Sequence, residues 1–123
     1  MIRLVLFSEE DRSAPFLDWF LGLPDKAQDN CRVRLERLRE LGHLLRRPEA
    51  DYLRDGIYEL RVRKGRVNYR ILYFFHARGL AILGHALTKE DKVPEADIER
   101  ALRRKKAFEA NPVKHSYSEE AKA

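Results

Sequence analysis

Cysteine is almost missing from this sequence: Cys31 is the only one in 123 residues. No intrachain disulfide can form and no cysteine cluster can hold a metal, which points to a reducing compartment. Long apolar runs are missing as well. Residues 1–7, Met-Ile-Arg-Leu-Val-Leu-Phe, are apolar for the length of a strand. They lack the basic start, longer apolar core and small-residue cleavage site of a signal peptide. No stretch approaches the roughly 18 apolar residues of a membrane span. The expectation is a cytoplasmic protein with no membrane partner. The sequence holds no HExxH, P-loop, GxSxG or dinucleotide fingerprint. His43, His76 and His115 fall in loops or the tail without metal-ligand spacing. Neither cofactor nor metal is expected.

One further absence organises the rest. Between Leu60 and Lys89 there is no Asp or Glu, while Arg61, Arg63, Lys64, Arg66, Arg70, Arg78 and Lys89 supply seven positive charges. Removing those seven from the 25 Lys and Arg leaves 18 basic residues against 20 acidic ones, so the net charge of +5 has its source in this segment. A field concentrated in that way attracts polyanions, nucleic acid first among them. The alternative is a charge-rich surface that is merely solvated.

Residues 1–7 read as a strand. Ser13-Ala-Pro15 resembles a helix start, followed by Phe16, Trp19, Phe20 and Leu23 on one stripe. Asp25 with Gln28 resembles a capping box and opens a second helix over 26–41, whose apolar line includes Ala27, Cys31, Leu35 and Leu38. Cys31 in that line reads as core, not as a nucleophile. Residues 42–56 read as a loop. Residues 57–63 and 66–75 form two β-rich runs about a Lys64-Gly65 turn, and 80–87 forms a third. Pro94 starts a last helix bearing Ile98, Ala101, Leu102 and Phe108, and the Arg103-Arg104-Lys105-Lys106 run closes it. Residues 111–123 read as a mobile tail after a domain of 1–110. The order β-α-α-β-β-β-α predicts an α+β fold with a small, mainly antiparallel four-stranded sheet, an N-terminal helical hairpin and a C-terminal helix.

A turn at 64–65 sets Arg63 opposite Arg66, Arg61 opposite Asn68 and Glu59 opposite Arg70, all on one face. Tyr58, Leu60, Val62, Val67, Tyr69, Ile71 and Tyr73 take the other. Facing arginines repel, and that is tolerable where an anion lies across the strands. Arg61 and Arg70 are the leading phosphate ligands, because a guanidinium fork can hold two phosphate oxygens. Alternatively, Glu59 and Arg70 form a plain ion pair. His85, inside a strand, is a candidate acid or base, or simply a packed residue.

The segment Tyr52-Leu-Arg-Asp-Gly56-Ile-Tyr-Glu-Leu-Arg61, with Asn68-Tyr-Arg70-Ile-Leu-Tyr73, resembles the RelE/HigB toxins of bacterial type II toxin–antitoxin systems, closest to their phage-derived branch. Leu83-Gly-His-Ala-Leu-Thr-Lys89-Glu-Asp-Lys92-Val-Pro94 and the helix after it are similar to that branch's lysine-bearing strand end and closing helix. The resemblance implies a RelE/ParE-like fold and an mRNA interferase: a metal-independent endoribonuclease acting on mRNA at the ribosome. It also implies a cognate antitoxin, expected to be a helix-turn-helix protein, that covers the basic face. Arg61, Arg70 and Lys89 would be catalytic. Glu59 or His85 would be the base. Arg63, Lys64, Arg66, Asn68 and Lys92 would bind RNA. Two alternatives remain: a ParE-like inhibitor of gyrase without enzymatic activity, or a degenerate nucleic-acid-binding domain.

Overall fold

Alternation of Tyr58, Leu60 and Val62 with Glu59, Arg61 and Arg63 commits the middle of the chain to a two-faced sheet, and the helices fall on both of its sides. The computed structural model describes residues 1–88 and 91–118. The elements are β1 (Arg3–Leu6), α1 (Pro15–Leu21), α2 (Asp25–Leu41), β2 (Ala50–Arg54), β3 (Ile57–Lys64), β4 (Val67–His76), β5 (Leu80–Thr88) and α3 (Glu95–Ala110). The strands form one sheet in the order β1-β5-β4-β3-β2. β1 runs parallel to β5, and the other neighbours are antiparallel. The α+β class is as expected, but the sheet is five-stranded and mixed, where four mainly antiparallel strands were expected.

The additional strand, β2, lies inside the segment read as a loop. Asp55 and Gly56 both have positive φ (51° and 85°) and close a tight β2–β3 hairpin. Asp-Gly is a favoured pair for such a turn, so the dipeptide read as loop punctuation is in fact a hairpin signal. The next hairpin corrects the register. Gly65 (φ 61°) is the first of the two turn residues and Arg66 the second, so Lys64 pairs with Val67, Arg63 with Asn68 and Arg61 with Arg70. Glu59 pairs with Leu72. The division into faces survives, because the slip is by two residues. The expected Arg63–Arg66 repulsion does not exist; the opposed cations are Arg61 and Arg70.

On one face α1 and α2 pack Phe16, Phe20, Ala27, Cys31 and Leu38 against Leu60, Val62, Tyr69, Ile71 and Tyr73. Each large side chain buried this way contributes about 1.5–3 kcal/mol. Burial pushes the Cys31 thiol up to about 11, in keeping with a core role. On the other face Ala101 and Phe108 of α3 cover Ile57, Leu72, Phe74 and Ile82. The basic run does not close α3; it sits mid-helix, with Arg104 turned inward. The capping box does not form either. Pro24 is the N-cap of α2, and Gln28 donates to the Leu21 and Leu23 carbonyls.

Residues 115–117 lie beside β1, where a mobile tail was expected. The Ser8 N–H donates to the His115 carbonyl, and the Tyr117 N–H donates to Leu6. His115 is buried, stacks on Phe7 at 5.1 Å and donates from Nδ1 to the Ser8 carbonyl. Among the described residues, no helix is long and apolar enough to cross a membrane.

Candidate nucleic-acid interface

α3 lies over β5 and β4, and the cover stops short of the β3–β4 hairpin tip. Where it stops, the same sheet face carries charge. Glu59 is only 2 % exposed, and its carboxylate sits between two guanidinium groups. Arg61 Nε donates to Oε1 at 2.8 Å, and an Arg70 terminal nitrogen donates to Oε2 at 2.9 Å. Arg61 also donates to Asp51 of β2 at 3.1 Å, and Arg47 reaches the same Asp51 oxygen at 2.9 Å. The Arg47 contact holds the Asp51 carboxyl below its ordinary range. Arg70 further donates to the Asp91 carbonyl in the connection before α3. The result is an alternating chain, Arg47–Asp51–Arg61–Glu59–Arg70, crossing three strands with three cations and two anions.

This arrangement fixes the arginines before any ligand arrives. A buried carboxylate with a guanidinium on each oxygen satisfies the hydrogen-bonding needs that would otherwise make its burial costly. In return it holds two long, flexible side chains at one spot. Arg61 stays accessible (its side chain is 37 % exposed), while Arg70 is mostly covered at 11 %. Both border a cleft of about 310 Å³ whose lining includes Arg34, Pro48, Arg63 and Asn68. Arg34 comes from α2, where it and Arg37 bracket Glu49.

Of the other expected RNA ligands, Arg63 is exposed and donates from Nε to the Gly65 carbonyl. Lys64 and Arg66 are exposed at the hairpin tip, with Lys64 placed by its pairing on the α2 face. Lys92 is exposed in the connection before α3. Lys89 lies outside the described residues.

His85 belongs to a separate polar cluster. A bulge between Leu72 and Tyr73 of β4 and the facing part of β5 gives β5 one extra residue, so that Leu72 pairs with His85 and Tyr73 with Leu83. Gly84 between them slips the alternation, which turns Leu83 toward α1 and α2 and His85 toward α3. There Nε2 meets Asp97 at 2.6 Å, and Nδ1 accepts from Arg104 at 3.0 Å. Arg104 also donates to the Gly84 carbonyl at 2.9 Å. Accepting at Nδ1 and donating from Nε2 is the pattern of a neutral imidazole. Burial pushes its pKa down, Asp97 opposes that, and Arg104 adds to it. Both ring nitrogens are thus engaged away from the arginine cleft.

The sequence reading brought Glu59, Arg61 and Arg70 together correctly. It missed Asp51 and Arg47, which become visible once Asp55-Gly56 is taken as a hairpin turn. It also missed Asp97 and Arg104, for which the sequence offers no local signal.

No curated protein matches the chain. Residues 18–106 match the family model described as phage derived protein Gp49-like (DUF891). That span takes in the second half of α1, all of α2 and every strand except β1, together with most of α3. It therefore contains the whole arginine cleft, and the chain belongs to the phage-derived Gp49-like family.

Proposed function

We propose that this protein is the toxin of a type II toxin–antitoxin system and that it acts as an endoribonuclease on mRNA at the ribosome. The observation that carries the reading is the directly opposed pair Arg61 and Arg70, held by the shared Glu59 carboxylate at an open cleft. Membership of the Gp49-like family supports the toxin part, because the hairpin and closing helix resemble the phage-derived branch of RelE/HigB toxins. The partner would be an antitoxin that covers the cationic face.

In this mechanism the substrate's own 2′-oxygen attacks the adjacent phosphorus. The base takes the 2′-hydroxyl proton, the 2′-O–P bond forms and the P–5′-O bond breaks. The departing 5′-oxygen takes a proton from Lys89 or from water, leaving a cyclic phosphate and a 5′-hydroxyl. Negative charge gathers on the phosphoryl oxygens in the transition state. Guanidinium donors held beside the cleft stabilise it there, each by about 3 kcal/mol. Lys89 adds a phosphate contact by family resemblance. Glu59 is the better candidate for the base, since it lies between the two arginines whereas His85 is spent on Asp97 and Arg104. To act, it exchanges one guanidinium contact for the 2′-hydroxyl.

A second reading is favoured by that same engagement: with Glu59 and His85 both occupied, the surface suits a gyrase-binding inhibitor that performs no chemistry. Inducing the protein in bacteria and mapping 5′ ends of translated mRNA separates the two. The nuclease reading expects codon-phased cuts that disappear in Arg61→Gln. Intact mRNA with DNA damage would overturn it in favour of gyrase. Unimpaired growth would leave only a nucleic-acid-binding domain.

A further inference from the structure

A second cleft, on the α2 side of the β2 edge, plays no part in the chemistry above. It has a volume of about 490 Å³ and is lined by His43, Leu45, Arg46, Arg47, Asp51, Tyr52 and Tyr58, among others. That size falls within the range of about 300–1,000 Å³ usual for small-ligand sites. Tyr52 is 53 % exposed on strand β2, yet it is not loose. Its hydroxyl accepts the Gly56 N–H at 3.0 Å, and its ring meets the cross-strand Tyr58 edge-on at 5.0 Å. Behind it Tyr58 stacks on Tyr73, Phe75 packs against both, and His43 stacks on Phe75. An aromatic ring is thus held rigid over a partly buried aromatic floor, with its polar tip already used and its apolar surface open.

Two cations flank this platform. Arg46 donates to the His43 and Leu45 carbonyls, and Arg47 pairs with Asp51. Asp51 is also the carboxylate that holds Arg61, so one residue joins the two clefts. The connection before β2 contributes to both, with Arg46 and Arg47 lining this cleft and Pro48 lining the arginine cleft. The two clefts open on opposite faces of the sheet and are joined around its β2 edge by Arg47, Pro48 and Asp51. A fixed, exposed aromatic on one side and an arginine cleft on the other suit a single nucleic-acid strand that wraps over that edge. A peptide would instead add to the β2 edge as a strand, and the charged Asp51 and Arg54 on that short edge oppose such an addition.

We propose that this cleft is a nucleotide subsite. A base of the same RNA strand stacks on Tyr52 and Tyr58, and the backbone between that base and the phosphate at Arg61 and Arg70 passes over Arg47. The proposal rests on the reading that the hairpin cleft holds RNA.

The test uses the full chain and a short single-stranded oligoribonucleotide, 2′-O-methylated throughout against cleavage and carrying a photoreactive thiouridine at each position in turn. Cross-linked peptides are mapped and affinities measured for the parent, Tyr52→Phe and Tyr52→Leu, with thermal melts as a check on folding. The expected result is cross-linking to Tyr52 or Tyr58 as well as to the hairpin. Tyr52→Phe, which keeps the ring, binds as the parent does. Tyr52→Leu, which keeps apolar packing without a π-face, binds about tenfold more weakly. Cross-links confined to 61–70, with Tyr52→Leu binding like the parent, would overturn the subsite and leave the hairpin reading standing. Cross-linking nowhere would overturn both.

Discussion

The α3 face of the sheet carries two polar clusters two residues apart along β4. Leu72 pairs with His85 in one, and Arg70 belongs to the other. In one the buried Glu59 carboxylate is held by two guanidinium groups, and in the other the buried His85 imidazole is held between Asp97 and Arg104. The His85 cluster lies under α3, which supplies Asp97 and Arg104. Arg104 borders a small cleft of about 210 Å³ beside Phe7 and His115, and neither His85 nor Asp97 lines it. The Arg61–Glu59–Arg70 cluster lies beyond the helix and borders open space. The same kind of chemistry is structural where α3 covers it and available where α3 does not. Position under a helix, more than residue type, separates the two.

The sharpest way to break this comparison is Arg70→Ala. It leaves Glu59 buried with one oxygen stripped of its cation, and losing one partner of a buried ion pair costs about 3–5 kcal/mol. Urea denaturation should show a large drop in midpoint, most of it recovered when Glu59→Gln is added to the same chain. Next comes Asp97→Ala, which leaves the Nε2–H of His85 without an acceptor. A loss of about 2 kcal/mol is expected, with RNA affinity unchanged, because the sealed cluster does not reach the cleft.

Smaller again is the pH response of the sealed cluster. Burial lowers the His85 pKa from 6.5, so the unfolded chain takes up a proton at a pH where the folded one still resists. Stability is therefore full above the ordinary histidine range and falls as the pH drops below it, levelling off once the folded imidazole also protonates. Denaturation midpoints measured across that range should show the decline, and His85→Gln should flatten it. The smallest effect on stability is Asp51→Asn, where exposed partners limit the loss to about 1 kcal/mol or less. It removes an anion from beside Arg47 and Arg61. RNA affinity should rise, and its salt dependence should steepen by about one counterion.

Much of this was legible in the sequence because strand alternation has a period of two. Any even slip of register preserves which residues share a face, so Glu59, Arg61 and Arg70 stayed together although the hairpin turn was misplaced. The identity of opposed partners depends on the turn itself. A Lys64-Gly65 turn makes glycine the second turn residue, whereas Gly65 is the first. β2 was hidden because an edge strand of mixed Ala-Asp-Tyr-Leu-Arg composition shows little β character on its own. Its signal lay in the Asp55-Gly56 turn. The surroundings of His85 could not be read at all, since they depend on a bulge at Gly84 and on two α3 residues far along the chain.

One further consequence concerns the segment 115–117, which bridges to Phe7 through Ser116. A sheet ends in rows of unsatisfied backbone groups, and such rows recruit other chains. Here the carboxy-terminal segment lies along β1 and ties up the Leu6 carbonyl and the Ser8 N–H. Opposite it, β2 is guarded by its five-residue length and by Asp51 and Arg54, the latter bound to Asp55, Glu95 and Glu99. The stretch after α3 thus works as a selvedge, finishing one border of the fabric with the protein's own chain. Trimming it away would expose Phe7 together with an open strand margin, and the outcome to watch for is self-association.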